Sequence, residues 1–428
     1  VVKVAIAWYG TEGQSSYRYF TQRGDDVTIV TPRISLDFPL PEGAKSIIGD
    51  DAFDQLRGFD LVVRSSGVRP DSLVTDGKIW SSTNEFFARC PATIIGVTGT
   101  KGKGTTCGLI TAILRADGRT VHLVGNIGQP ALALLDSIQS TDIVVYELSS
   151  FQLWDLEKSP HIAVVLMIEP DHMDVHRDMT EYLEAKARIA KYQSAEDVVL
   201  YHPTNDDSKQ VAMAGSGTKL RYGIREDGQV YVCDGSFYQD DQLLCSTDTL
   251  QIVGLHNLEN ACAAVSVALQ YGADNNAITT GLSSFPGLPH RLKKIRTVMG
   301  VTYYDDSIGT TPGSAISALR SFAQAPKVLI LGGSDKGADY TAIIRECAAH
   351  DTKVVAIGQT GGRIAELCEQ QKVQVIRETG LMAEAVRRAQ ALAVDGGVVL
   401  LSPASASFDQ YKSYSDRGDQ FVAAVEGL

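Results

Sequence analysis

Short runs of apolar and β-branched residues recur along the chain, each ending in a glycine or polar turn that leads into a helical pattern. They include Thr93-Ile94-Ile95-Gly96-Val97, Ile143-Val144-Val145-Tyr146, Ile162-Ala163-Val164-Val165-Leu166, Lys327-Val328-Leu329-Ile330-Leu331 and Val398-Val399-Leu400-Leu401. Strands apolar on both faces must be covered on both faces, and strands separated by helices pair in parallel, so the expected fold class is α/β. At 428 residues the chain exceeds one ordinary domain. Cys90-Pro91 and Phe285-Pro286-Gly287-Leu288-Pro289 are the clearest joints, which gives expected domains of 1–90, 91–288 and 289–428. Residues 215–250, with short strands and Gly or Asp turns, read as a small antiparallel excursion.

The net charge of −12 argues against nucleic acid or a membrane surface as partner. Anionic ligands must then be held by local donors such as glycine-rich loops, helix N-termini and a few Lys or Arg. No stretch approaches the ~18 apolar residues of a membrane span. The start, Val1-Val2-Lys3-Val4-Ala5-Ile6-Ala7, reads as a first strand rather than a secretory leader. Seven scattered cysteines without a C-x-x-C pair fit a reducing compartment, so a cytoplasmic location is expected.

The most informative segment is Gly96-Val97-Thr98-Gly99-Thr100-Lys101-Gly102-Lys103-Gly104-Thr105-Thr106, between a strand and an apolar helix. Glycines let backbone N–H groups converge on a phosphate, and the helix dipole favours the anion. Lys103 can reach the β- and γ-phosphates, and Thr105 or Thr106 can hold Mg²⁺. Glu147 ends the strand beginning at Ile143, where a Mg²⁺ ligand belongs beside a phosphate loop. Asp171-His172-Met173-Asp174 follows another buried strand, and Asp178-Met179-Thr180-Glu181 reads as a capping box. The helix it opens carries Lys186 among alanines and Ile189, a position that by pattern alone is an ordinary snorkelling lysine.

These segments resemble the Mur ligases over nearly the whole chain. The resemblance is carried by the phosphate loop, by Glu147-Leu148-Ser149-Ser150-Phe151-Gln152-Leu153, and by Asp171-His172-Met173-Asp174 with Ala185-Lys186-Ala187-Arg188-Ile189. It extends to Gly254-Leu255-His256-Asn257-Leu258-Glu259-Asn260, Leu288-Pro289-His290-Arg291-Leu292, Gly332-Gly333-Ser334-Asp335-Lys336-Gly337 and Ser402-Pro403-Ala404-Ser405-Ala406-Ser407-Phe408. Three domains are implied: a Rossmann-like N-terminal domain for a UDP-linked substrate, a P-loop central ATPase-type domain with a parallel sheet, and a Rossmann-like C-terminal domain for the incoming amino acid. Within the family the pattern is similar to the D-glutamate-adding members, which implies UDP-N-acetylmuramoyl-L-alanine and D-glutamate as substrates, ATP, two Mg²⁺ sites and a monomer.

The resemblance also assigns residues. Gly99, Thr100, Lys101, Gly102, Lys103, Gly104, Thr105 and Thr106 would hold ATP phosphates, Asn257 and Asn260 the adenine, and Arg291 and Asp306 ATP from the third domain. Thr105, Glu147, His172 and a carbamylated Lys186 would bind metal, with Lys103, His172 and Lys186 as the catalytic set. Thr31, Arg33, Ser66, Gly67, Asn126 of Gly125-Asn126-Ile127-Gly128, Ser149 and Gln152 would face the UDP substrate. Thr310, Lys336, Ser407 and Phe408 would surround D-glutamate. The chain departs from the D-glutamate-adding pattern at Gly104 after the loop lysine, at Met167 in place of Asn, and at Ile308 in place of Lys. The first departure resembles folylpolyglutamate synthase, which is the rival enzyme reading. A nucleotide-binding protein without catalysis is the rival of another class.

Overall fold

The computed structural model describes residues 1–428 apart from 127, 227, 228 and 323. Val4, Ala5, Ile6 and Ala7 are fully buried, so the first strand, β1 (Lys3–Ala7), lies inside a sheet. It is joined by β2 (Asp26–Thr31), β3 (Lys45–Ile48), β4 (Leu61–Arg64) and β5 (Lys78–Ser81) in the order β3-β2-β1-β4-β5, all parallel. The chain winds outward from β1 to β3 and then returns to β4 on the other side. That reversal opens a crevice at the C-terminal ends of β1 and β4, the usual ligand position in an open α/β sheet.

The second sheet is built from β6 (Thr93–Thr98), β7 (Val121–Gly125), β8 (Ile143–Glu147), β9 (Ile162–Val165), β10 (Val198–Tyr201) and β11 (Thr218–Arg221). Its order is β11-β10-β9-β6-β8-β7, again all parallel. The apolar runs read as doubly covered strands are β6, β8 and β9, at its centre. Register pairs Val97 with Glu147 and Thr98 with Val165, so the loops after these three strands emerge side by side. The antiparallel excursion is narrower than the 215–250 expected. It comprises β12 (Val230–Cys233), β13 (Ser236–Gln239) and β14 (Gln242–Ser246), because β11 pairs in parallel with β10 and belongs to the large sheet.

The last sheet contains β15 (Lys293–Val298), β16 (Val301–Asp305), β17 (Lys327–Gly332), β18 (Lys353–Ile357), β19 (Val375–Glu378) and β20 (Val398–Leu401). Its order is β15-β16-β20-β17-β18-β19, with β15 antiparallel on the edge. Apolar layers centred on Leu329, Leu331 and Ile344 on one side, and on Ile330, Val355 and Phe421 on the other, cover its two faces.

Contacts divide the chain into two compact units. One holds Val1–Thr249 with Leu258–Leu282, and the other Leu250–Asn257 with Ser283–Leu428. The first unit therefore contains the first, second and antiparallel sheets, and the second unit contains the last. No helix among the described residues is long and apolar enough to cross a membrane.

Candidate active site

The phosphate loop leaves β6 and enters the helix Lys103–Ala116. Gly102 occupies the N-cap with φ +85, and a Cβ there would stand 2.4 Å from Asn260 Oδ1, so the sharp entry requires glycine. Asn260 also accepts a hydrogen bond from Thr106 Oγ1 at 3.3 Å. Asn260 thus lies against the loop, and the Thr106 hydroxyl is engaged with it. Thr105, one residue earlier, is buried in the first turn of the same helix, and Gly104 before it is half-buried. Thr100 donates its N–H to Met167 O at 2.9 Å and its hydroxyl to Glu169 O at 2.9 Å, while exposed Lys101 pairs with Glu169. Met167, a departure in sequence, supports the loop through its backbone carbonyl, a contact that does not depend on its side chain.

Two lysines meet at one carbonyl. Lys103 Nζ donates to Gly99 O at 3.1 Å and Thr100 O at 3.0 Å. Lys186 Nζ donates to the same Gly99 O at 2.9 Å and to Thr98 Oγ1 at 3.3 Å. Lys186 comes from the helix Met179–Lys191, whose N-cap Asp178 accepts from Glu181 N. It is 1% exposed and stacks over the Tyr182 ring, so the snorkelling lysine suggested by the pattern is in fact buried. Burial, then the charge of Lys103, hold its pKa well below the ordinary lysine value, with Asp171 opposing. Glu147 closes β8 and is buried. Cys107, one turn into the phosphate-loop helix, registers both neighbours: burial and then the Glu147 charge raise its thiol pKa, and Lys103 lowers it. Glu147 and Thr105 supply oxygen donors of the kind Mg²⁺ takes. Among the described residues no group of three His, Cys, Asp or Glu side chains is arranged around a metal position.

His172 sits in the left-handed region at φ 56, exposed, with its ring 4.9 Å from that of Phe151. Its loop is pinned by His176, the last residue of the segment that begins at Asp171. Buried His176 stacks on Phe151 at 5.4 Å and its Nε2 lies 3.0 Å from Ser150 Oγ. Arg69 reaches Glu181 from the N-terminal sheet and covers Trp154 at 4.6 Å. The Glu181 side chain serves Arg69 and Arg177, so Asp178 supplies the helix cap alone.

The crevice between β1 and β4 is a cavity of about 290 Å³ reached by Thr11, Ser66, Asn126 and Gln152. Three of these, Ser66, Asn126 and Gln152, were assigned to the UDP substrate. Ser149 caps the short helix Ser150–Leu153, its hydroxyl and N–H both meeting Gln152 Oε1. Asn126 N donates to Glu147 O at 3.3 Å, tying the motif to the end of β8. Ile127 of that motif lies outside the described residues. Gly67 is exposed beside Ser66. Thr31 is buried with its hydroxyl on Arg33 O, and Arg33 lies over Trp8 at 5.9 Å. Glu12 and Arg64 were missed. Glu12 belongs to Gly10-Thr11-Glu12-Gly13, a glycine-spaced turn directly after the first strand, which was a readable signal. Arg64 gave none, because a basic residue closing a strand does not announce burial.

In the C-terminal unit the loops after β16, β17 and β20 carry the remaining candidates. Asp306 is buried, accepting from Leu292 N at 3.2 Å and Ser402 Oγ at 2.6 Å. Burial raises its pKa to about 6, against the pull of Ser402 and Arg291. Arg291 and Thr310 are exposed, and Ile308 is half-buried. Lys336 stands 5.8 Å from the Phe408 ring, which is 70% exposed, whereas Ser407 is buried beneath. Asn257 Nδ2 donates to Val253 O at 2.7 Å, a local tether at the start of its helix. Arg417, also missed, is fully buried and donates to Ser307 Oγ, Ser307 O, Ser405 O and Ala406 O.

A phosphate loop with a buried lysine at its back and a strand-end carboxylate beside it defines a nucleotide-dependent enzyme site of the P-loop class. Two family models match, the Mur ligase middle domain over residues 97–268 and the Mur ligase glutamate ligase domain over 290–405. The chain belongs to the Mur ligase family. It is 34% identical to the UDP-N-acetylmuramoylalanine--D-glutamate ligase of Acetivibrio thermocellus, over 100% of this chain and 96% of that protein. Among solved structures, the UDP-N-acetylmuramate-alanine ligase MurC of Thermotoga maritima matches with TM-score 0.64 at 17% identity, covering 100% of both chains. Folylpolyglutamate synthase of Mycobacterium tuberculosis matches with TM-score 0.57 at 16% identity, over 81% of this chain and 93% of that one. At these identities the two structures speak for the fold.

Proposed function

We propose that the chain adds D-glutamate to UDP-N-acetylmuramoyl-L-alanine at the expense of ATP, in cytoplasmic synthesis of peptidoglycan precursors, and that it acts as a monomer. A carboxylate does not react with an amine at neutral pH. ATP therefore transfers its γ-phosphoryl group to the L-alanyl carboxylate, giving ADP and an acyl phosphate. The D-glutamate amine attacks the acyl carbon, and phosphate leaves as the amide forms and the amine gives up a proton. The chain's own task is to position reactants and offset charge.

In this reading residues 1–90 hold the UDP moiety, 91–288 ATP, and 289–428 D-glutamate. The crevice lined by Ser66, Asn126 and Gln152 takes the nucleotide substrate, with Gly67, Ser149, Thr31 and Arg33 as further contacts. Lys103 and the loop N–H groups take the ATP phosphates, Asn257 and Asn260 the adenine, and Arg291 and Asp306 the remaining ATP contacts. Thr310, Lys336, Ser407 and Phe408 face the amino acid. Glu147 and Thr105 hold one Mg²⁺; Thr105 is favoured over Thr106 because the latter's hydroxyl is engaged with Asn260. His172 and Lys186, as its carbamate, hold a second. Bound magnesium would screen the phosphate–carboxylate repulsion.

The observation that carries this reading is the convergence of Lys103 and buried Lys186 on the Gly99 carbonyl. With both lysines charged at one carbonyl, an added cation there would be repelled. A carbamate on Lys186 turns the second into an anionic oxygen ligand suited to Mg²⁺. Gly104, after the loop lysine, favours folylpolyglutamate synthesis as the second reading. Phosphate release from ATP separates the two, measured with UDP-N-acetylmuramoyl-L-alanine and a panel of amino acids, and with a folate plus L-glutamate. Release that depends on D-glutamate is the expected result. Equal or faster release with folate plus L-glutamate, or with L-alanine as acceptor, would overturn it.

A further inference from the structure

The crevice at the ends of β1 and β4 offers an anion neutral donors. They are the N-terminus of the helix Thr11–Gln22, the Ser66 N–H, the Gln152 amide and Ser15 Oγ. Ser15 is 8% exposed, lines the cavity, and its hydroxyl has no hydrogen-bond partner among the described residues. Yet a carboxylate from the chain already stands among these donors. Glu12 Oε2 accepts from Ser66 N at 2.7 Å, and Glu12 Oε1 accepts from Gln152 Nε2 at 3.4 Å. Glu12 sits in the first turn of the helix, where negative charge is favourable, with Gly10 before it and Gly13 after it.

A backbone N–H has one proton to give. Ser66 N cannot donate fully to Glu12 and to a phosphate oxygen together, and two anions on one set of neutral donors repel. We propose that Glu12 is an internal competitor for the substrate's diphosphate. Its carboxylate caps the Ser66 N–H and the Gln152 amide in the chain alone, and it swings aside when the diphosphate binds. This rests on the reading of the crevice as the UDP-substrate site. A simple anion gains too little from the pocket to displace an attached carboxylate, whose effective concentration is high. A nucleotide that brings its base and sugar contacts as well can displace it. Glu12 thereby acts as a specificity-determining residue, selecting a diphosphate joined to further recognised groups over free phosphate or pyrophosphate.

The test is calorimetric titration of the full chain with UDP, uridine and inorganic pyrophosphate, for wild type, Glu12→Gln and Glu12→Ala, with melting curves to verify the fold. The glutamine keeps the shape and removes the charge, and the alanine removes both. UDP is expected to bind each variant roughly tenfold tighter, uridine to bind all three alike, and pyrophosphate to become detectable only in the variants. Equal shifts for UDP and uridine would mean a structural effect and overturn the proposal. So would UDP binding that is unchanged or weaker, the latter meaning that Glu12 holds the nucleotide directly. If wild type and variants all fail to bind both UDP and uridine, the reading of the crevice itself falls, and the competitor role with it.

Discussion

Lys186 is an unusual lysine because burial and a neighbouring cation disfavour its positive charge, with Asp171 and the Tyr182 ring face opposing them. Its amine is desolvated and shares the Gly99 carbonyl with the Lys103 ammonium. Depressing the pKa exposes the neutral amine that attacks CO₂, forming the N–C bond and releasing a proton, so the environment that makes the cation costly also makes the carbamate accessible. Lys186→Ala is expected to lose most ligase activity, and added short carboxylic acids to restore part of it by filling the vacated volume. Full activity in the variant would return Lys186 to a packing role. Asp306 presents the opposite sign. Its pKa of about 6 lies above the ordinary aspartate value of 3.8, so the folded state holds the proton more tightly than the unfolded chain. Its stabilising effect is fully present below pH ~4 and lost as pH rises through ~6, so at neutral pH the buried charge is a burden of order 3 kcal/mol. Asp306→Asn should raise stability at pH 7.5 and flatten the stability profile between pH 4 and 6, read by denaturant unfolding. An unchanged slope would show that Asp306 is not the titrating group.

Two buried arginines tie loops together at the scale of elements. Arg64, closing β4, donates to both carboxylate oxygens of Asp155 at 2.7 and 2.6 Å, and to the carbonyls of Phe151 and Val68. It thereby fixes the turn carrying Ser66 to the segment carrying Ser149 and Gln152. Arg417 does the same for the loops after β16 and β20. Removing one partner of such a pair leaves a buried charge alone, which typically costs about 3–5 kcal/mol. Asp155→Ala should therefore destabilise the N-terminal unit by that order, and Arg64→Met with Asp155→Leu should recover much of it. A loss under 1 kcal/mol in the single variant would show that Arg64 is adequately held by carbonyls. Neither clamp was legible in the sequence. The phosphate loop, Glu147 and the loop of His172 were, because strand, glycine turn and helix follow one another locally. A buried arginine is defined by partners 91 and 110 residues away, and local pattern holds no trace of that distance.

The same contrast holds for the molecule. The parallel sheets followed from doubly apolar runs such as Ile143-Val144-Val145-Tyr146. The assignment of β11 to the large sheet did not, because Thr218-Lys219-Leu220-Arg221 holds a single apolar residue and none of its four residues is fully buried. Its edge position in a parallel ladder explains the polar sequence, since an edge strand is covered less than a central one and charged residues there blunt the open edge. Cores are the other property of this scale. The N-terminal unit has apolar clusters around Val62, Ile6 and Tyr146, while the C-terminal unit has those around Leu331 and Val355. Each unit can thus unfold cooperatively on its own core, and calorimetry of the whole chain is expected to resolve two transitions. The crevice proposed for the nucleotide lies entirely within the first unit. A ligand that binds only folded protein stabilises by about 2.7 kcal/mol at a hundredfold excess over Kd. UDP at that excess should raise one transition by roughly 5 °C and leave the other in place. Asp306→Asn should move the second transition at pH 7.5 and not the first, which identifies the units independently. A single transition, or an equal shift of both by UDP, would show that the two cores do not melt separately and that binding in the crevice is felt throughout the chain.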